Sequence, residues 1–210
     1  GNISTLTFLL RDVAHPTLVV KLNYSAYSDC DIVKMNAEYI NEGKKPIVLQ
    51  KYLSAVLPIQ SDNCVLLHLD GTTKNEFNEH IESLSNGVKI ISTQAGSQVS
   101  KHAHASFMLG LDGRLEETNC PVVAGTLVWM GNFHFEFHNT LQNRAKTLFM
   151  GGINPAASDY TLAGGKSLTT PEMVFTYSSN GKGDATRSLH RWARKHQLLD
   201  GTKQREILLN

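Results

Sequence analysis

Apolar and polar positions alternate through most of the first two thirds of the chain. In TLTFLLRD, Thr5, Thr7 and Leu9 oppose Leu6, Phe8 and Leu10, and TLVVKLNYSAY repeats the habit from Thr17 to Tyr27. A period of two, carried by β-branched and aromatic residues, predicts strands. His15-Pro16 between these runs predicts a turn. Further strands are predicted at Ile32 to Ile40, Pro46 to Val56, Val65 to Leu69, Val88 to Thr93, Phe107 to Leu111, Val122 to Met130, Asn132 to Thr140, Ala145 to Met150, Tyr160 to Leu162 and Met173 to Ser178. Turn chemistry separates them at Asn41-Glu42-Gly43, Asp70-Gly71, Asn86-Gly87, Asp112-Gly113 and Ser179-Asn180-Gly181. Short strands at this spacing predict a mainly β fold, a large antiparallel two-sheet β-sandwich rather than βαβ units.

The last forty residues change period. In DATRSLHRWARKHQLLDG, Leu189, Trp192, Ala193, His196 and Leu199 share one helical face, with Asp184 as the predicted N-cap and Gly201 as the predicted stop. Arg191, Arg194 and Lys195 gather where the helix dipole favours cations. Beyond this helix Ile207, Leu208 and Leu209 form an apolar run with no turn signal after it, and at the other end a strand begins within a few residues of Gly1. Both ends read as cuts, so a fragment of a longer chain is expected, with Ile207 to Asn210 the first strand of something else.

One strand carries candidate chemistry. In GNFHFEFHN, Gly131 to Asn139, the alternation aims Phe133, Phe135 and Phe137 at the core and His134, Glu136 and His138 outwards. Outward positions recur every ~6–7 Å along a strand. Ligands that must each lie ~2 Å from one ion do not readily come from three consecutive outward positions, so a polar face is expected there rather than zinc. His102 and His104 form a second pair without a third ligand nearby.

The composition is that of an ordinary globular protein, with 41% hydrophobic residues and Lys+Arg 20 nearly cancelling Asp+Glu 19. That balance gives no pull towards nucleic acid or an anionic membrane. No apolar stretch approaches the ~20 residues that span a bilayer, and no basic-then-apolar leader is visible. Cys30, Cys64 and Cys120 form no C-x-x-C pair and read as buried thiols, with one disulfide between distant cysteines as the alternative and no metal site expected. GGKS, Gly164 to Ser167, ends like a phosphate loop, but Tyr160 stands where that motif needs glycine. No G-x-S-x-G is present, and no carboxylate pair stands out among 19 acidic residues.

From Val123 onwards the text resembles a known family. VAGTLVWMGNF, INPAASDYTLAGGKSLTTPEMVFTYSSNGKGDATRSLHR and REILLN look like the N-terminal β-supersandwich domain of glycoside hydrolase family 36 α-galactosidases. The residues that carry the likeness are Leu127 to Met130 leading into Gly131-Asn132-Phe133, then Thr170-Pro171-Glu172, Leu189-His190, and Arg205 to Asn210. Upstream, the paired strands from Arg11 to Gly43 and KHAHASF resemble the family more weakly, with Ala105 and Ser106 replacing Asn and Pro. Cys120-Pro121 stands where many members have Gly-Glu, and Lys166 where an acid is expected.

The resemblance implies a galactose mutarotase-like supersandwich over 1–182, N-terminally shortened, then a linker helix and the start of a (β/α)8 barrel over 183–210. In the parent enzyme that barrel would hold a nucleophilic and an acid/base aspartate and hydrolyse terminal α-galactosides, melibiose and raffinose types, with retention. A barrel takes about 250 residues, so no catalytic residue is assigned here, the chain alone is expected to be inactive, substrate-binding residues are unassigned, and no cofactor is implied. Implied partners are a carbohydrate substrate, the barrel of the same chain and room for a homo-oligomer, with no nucleic acid or membrane. Cytoplasm and periplasm both stay open. Two rival readings are a stand-alone carbohydrate-binding module, for which Trp129, Trp192 and six tyrosines would be the platform, and a mutarotase-like sugar epimerase, which would need His102, His104 or His134 to meet a carboxylate such as Glu136 in a cleft.

Overall fold

A computed structural model describes residues 2–72, 74–96, 102–139, 146–157, 159–201 and 203. The described residues form fifteen strands: β1 (Ile3–Arg11), β2 (Leu18–Tyr27), β3 (Ile32–Asn41), β4 (Ile47–Leu49), β5 (Leu53–Ile59), β6 (Val65–Thr72), β7 (Asn75–Ser83), β8 (Gly87–Ser92), β9 (Ser106–Gly110), β10 (Val122–Leu127), β11 (Phe133–Asn139), β12 (Thr147–Ile153), β13 (Tyr160–Leu162), β14 (Ser167–Thr169) and β15 (Met173–Ser178). A helix, α1 (Lys182–Trp192), follows them and runs on into a π-helical turn, Ala193–Gln197.

The strands form three antiparallel sheets. The large one has the order β1-β2-β3-β15-β10-β9-β6-β7, with β14 sharing the far edge of β3 beside β15. The second is β5-β12-β11-β8, and β13 pairs with β4 in a small ribbon. This is the mainly β sandwich with a C-terminal helix that the alternation predicts. On β11 the register is clean, because Phe133, Phe135 and Phe137 are fully buried while His134, Glu136 and His138 are half-buried on the other face.

The core lies between the large and the four-stranded sheet. Phe107 of β9 meets Phe135, Phe137, Phe149 and Phe175 at centroid separations of 5.8, 4.9, 4.7 and 6.4 Å. Interlocked rings of this kind add ~0.5–1.5 kcal/mol per pair beyond burial. Gly125 leaves room for them, since a Cβ there would run into the Phe107 and Met173 side chains. On its other face the large sheet is covered by α1. Ala185 packs on Cys120, Val122 and Ala124, and Trp192 on Tyr27, Cys30, Ile32 and Val174. Strand β15 is therefore buried on both sides, which is why MVF reads as a continuous apolar run.

Several expectations shift. Pro46 to Val56 splits into β4 and β5, and β10 stops at Leu127, so Trp129 stands in a loop, 41% exposed, instead of in the predicted strand. Asp70-Gly71 is no turn. Strand β6 runs through it with a register shift between Asp70 and Thr72, and the hairpin closes later into β7. Strand β7, NEFNEHIES, carries little that reads as a core face, because Phe77 and Ile81 are exposed. Strand β14 is short, and the chain breaks between it and β15 at Thr170-Pro171. There the proline has no N–H to give β3, while the Thr170 hydroxyl accepts from Ala37 N–H at 3.0 Å and donates to the Ala37 carbonyl at 3.2 Å.

The helix also starts and stops elsewhere than predicted. Gly181, with φ 88°, is the N-cap, and Asp184 lies inside the first turn, accepting from the Ser178 hydroxyl at 2.8 Å. The free N–H groups of the first turn are taken by backbone carbonyls, Lys182 by Glu116 at 3.0 Å and Gly183 by Glu117 at 3.2 Å, so no side-chain cap is needed. Leu198 is extended, which ends the helix before Gly201 and leaves Leu199 out of the packed face. Thr140, Ala145 and Ile207 to Asn210 lie outside the described residues.

Phe107→Ala is expected to cost ~3–5 kcal/mol in urea unfolding, the range for truncating a buried aromatic ring. Phe8→Ala, on the exposed edge strand β1, should stay within ~1 kcal/mol, and equal losses at the two sites would contradict the core described here.

Candidate functional site

On β11 the outward side chains converge. His134 Nε2 lies 2.9 Å from Glu136 Oε1, and His138 Nε2 lies 2.7 Å from Oε2. Lys51 Nζ, from the segment between β4 and β5, reaches Oε1 at 2.8 Å. Their Cβ atoms stand a full pleat apart, as the strand geometry demands, but each imidazole leans along the strand to its own oxygen of one carboxylate. The expected polar face is therefore a closed network in which the glutamate accepts and the others donate. Burial works to raise the Glu136 pKa, and the bonds from Lys51, His138 and His134 outweigh it, holding the carboxyl at about 2 against an ordinary 4.5.

Such a carboxylate is a poor proton donor at neutral pH. Around the network the same sheet face is apolar, with Val56, Val88 and Ile90 exposed. Among the described residues, clefts of about 150, 300, 390 and 510 Å³ are lined by none of His102, His104, His134 and Glu136. His104 instead stacks on Phe77 at 4.6 Å, and His102 is exposed. The epimerase reading, which requires a histidine and a carboxylate inside one cleft, finds no support in these clefts.

The sugar-binding platform is also missing its parts. Trp192, Tyr27 and Tyr52 are buried. Of the tryptophans and tyrosines, the exposed Trp129, Tyr160 and Tyr177 sit in a loop, on β13 and on β15, so no described sheet carries two of them, and the exposed Phe8 and Phe77 lie at opposite edges of the large sheet. GGKS forms a turn in which Gly165 N–H bonds the Asn41 carbonyl at 2.8 Å, docking it on the neighbouring turn.

The motif residues prove to be framework. Asn132 Oδ1 accepts from Gly96 N–H at 2.6 Å, Gly131 lets the chain pass the Trp129 indole, and Phe133 enters the core. Glu172 pairs with Lys34 at 2.6 Å, and its carbonyl takes Val128 N–H at 2.8 Å. Two polar clusters were not legible in the sequence. His68 and His80 stack at 5.2 Å on β6 and β7, with Glu82 bonding both His68 and Lys89. Asp29, Cys30 and His196 meet where the β2–β3 turn touches the end of the helix. A separation of 166 residues between Lys195 and Asp29 leaves no local spacing to detect.

Comparison with known proteins points one way. The family model described as glycosyl hydrolase family 36 N-terminal domain matches residues 2–163. The chain is 27% identical over 212 residues to alpha-galactosidase C of Emericella nidulans, covering 100% of this chain and 28% of that protein. It is 27% identical over 208 residues to alpha-galactosidase AgaA of Geobacillus stearothermophilus, 98% of this chain and 28% of the other. The crystal structure of an alpha-galactosidase from Lactobacillus brevis superposes with a TM-score of 0.85 at 24% identity, over 92% of this chain and 25% of that one. The chain thus spans little more than a quarter of the length of the relatives it matches.

The Glu136 network sets a pH test. The folded-state pKa of about 2 lies below the unfolded 4.5, so the network's stability is fully present above about 4.5 and is lost as pH falls through about 2. Partial exposure screens the charges, leaving ~1–2 kcal/mol. Glu136→Gln should cost that much in urea unfolding at pH 7, with the gap closing as pH drops below 4.5. A gap that stays constant with pH would remove the ionic origin.

Proposed function

Because the chain belongs to the glycosyl hydrolase family 36 N-terminal domain family, we propose that it is the non-catalytic sandwich of an enzyme that hydrolyses terminal α-galactosides with retention. The observation that carries this reading is the proportion. The likeness runs from one end of the chain to the other, yet takes up only a quarter of each relative. Catalysis belongs, on this reading, to a (β/α)8 barrel elsewhere in the parent enzyme, where both carboxylates would sit at the C-terminal ends of barrel strands. The segment 1–182 is the sandwich, and 183–210 leads from it towards the barrel.

The site chemistry supports a structural role. The Glu136 carboxylate is locked as an anion by three donors, and the family motifs at Gly131, Asn132, Thr170 and Glu172 are used up in backbone and core contacts. The substrate class is that of the raffinose oligosaccharides. AgaA of Geobacillus stearothermophilus has been crystallised in complex with stachyose and with raffinose, which supports that class for the parent. Partners are the barrel and a second copy of the enzyme. Ile3, Leu6, Phe8, Leu9 and Leu10 leave β1 apolar and exposed at the sheet edge, a surface that suits contact with further polypeptide.

Incubated with a nitrophenyl α-galactoside, this 210-residue chain is expected to release no nitrophenol above the blank, and release that saturates with substrate would refute the proposal. Calorimetric titration with raffinose should give no saturable heat. Saturable binding would instead favour a carbohydrate-binding module.

A further inference from the structure

The β2–β3 turn and the end of the helix bring together a donor set that the galactosidase reading does not use. Asp29 and Cys30 lie in the turn after β2, where Asp31 adopts φ 56°, a left-handed conformation that aspartate tolerates. This turns Cys30 inwards to full burial beside Trp192. His196 comes from the other side. The helix widens to a π turn over Ala193–Gln197, closed by Leu198 N–H on the Ala193 carbonyl at 2.9 Å, and the wider turn carries the imidazole to the Asp29 carboxylate. Turns of this kind recur at functional sites. The Tyr27 ring, 4.8 Å from the imidazole, holds it there.

The carboxylate is the hub. His196 Nε2 lies 3.3 Å from Oδ1 and 3.2 Å from Oδ2, and Lys195 Nζ lies 3.3 Å from Oδ2. Burial, with the Asp29 carboxylate beside it, pushes the Cys30 thiol pKa up. All three ligand atoms, one carboxylate oxygen, the sulfur and an imidazole nitrogen, lie within 4.8 Å of one another. Ligands around one tetrahedral ion at ~2.0–2.3 Å stand somewhat closer together than that, so closure requires side-chain rotations of about an ångström. The Asp29 and His196 side chains are 17% and 20% exposed, which leaves an entry path, while the sulfur is buried.

We propose that Asp29, Cys30 and His196 form a binding site for a divalent transition ion of the zinc type, with the fourth position taken by water. Thiolate, imidazole and carboxylate is a donor set that suits borderline-soft ions and not magnesium or calcium. On binding, the Cys30 S–H bond breaks and its proton goes to solvent, the sulfur donates its electron pair to the ion, and Lys195 leaves Asp29 for water. No electron changes hands. The ion would tie the β2–β3 hairpin to the helix, a tether between the large sheet and the layer that covers it.

Cobalt(II) is the probe, because a cobalt–thiolate bond gives a charge-transfer band in the near ultraviolet that the other donors do not give. Titrating the 210-residue chain with cobalt(II) at pH 7 should produce that band to saturation, and zinc should abolish it by displacement. Cys30→Ser should remove the band while Cys64→Ser and Cys120→Ser keep it. His196→Gln should weaken binding at least ~10-fold, the smallest loss seen even when groups behind metal ligands are removed. On the unmutated chain, zinc binding should release a proton, read as a calorimetric heat that changes with the ionisation enthalpy of the buffer. No band on the unmutated chain, a band that survives Cys30→Ser, or zinc heat with no proton release would each overturn the site. None of these readouts depends on hydrolysis of an α-galactoside, so failure here leaves the galactosidase reading standing, and the converse holds.

Discussion

The interlock of phenylalanine rings between the two sheets is the constraint on which the rest of the molecule depends. Phe107 reaches across from the large sheet into the space bounded by Phe135, Phe137 and Phe149 of the small one, and Phe149 returns the contact to Phe175 at 5.7 Å. Once these rings are seated, the register of β11 is fixed, because a slip of one residue would exchange every phenylalanine for a histidine or glutamate. The outward cluster of His134, Glu136 and His138 is thus a consequence of the core. Its position needs no separate explanation in function. The same packing forces Gly125 and Gly151, where a Cβ would meet the rings.

Alternation was legible wherever one face of a strand is buried and the other is not. Strand β11 falls within a residue of its predicted span for that reason, while β2 and β3 match theirs as closely although their burial does not alternate. Strand β15 was visible by its opposite, an unbroken apolar run under two covering layers. The edges were harder. Strand β7 is exposed on both faces, so its residues face no core that could select apolar positions, and β14 is held mainly by β3 and by the Thr170 hydroxyl beside a proline. At Asp70-Gly71 the local chemistry said turn, but pairing with β7 carries the strand through with a bulge. Asp184 fails as a cap for a similar reason, since tertiary carbonyls from Glu116 and Glu117 had already taken the free N–H groups.

The polar clusters show a sharper limit. The strand argument correctly sets the Cβ atoms of His134, Glu136 and His138 a pleat apart, but two long imidazoles can still lean onto one carboxylate between them, so separation at the backbone does not prevent contact at the tips. Asp29, Cys30 and His196 were out of reach for a different reason. Nothing in the sequence around Cys30 announces a partner, and His196 read as one more residue on an amphipathic face. A π turn, which no residue pattern predicts, supplies the missing rotation.

The helix should be counted as a layer of the sandwich as well as the segment that leads away from it. Its apolar face covers Val122, Ala124, Val174 and Ile32, residues whose neighbours along the same strands already fill the inner core. Stripping it off would expose the outer side of the central strands, and parallel loss of the Trp192 and Tyr27 contact would follow. It is pinned at its start by carbonyls of the 116–120 loop and at its end by Asp29, both of them attached to the large sheet. A helix fixed at two points has little freedom to swing, so the direction in which it points is set by the sheet. The helix direction is thus a property of the sandwich itself, fixed by contacts at both its ends with the same sheet.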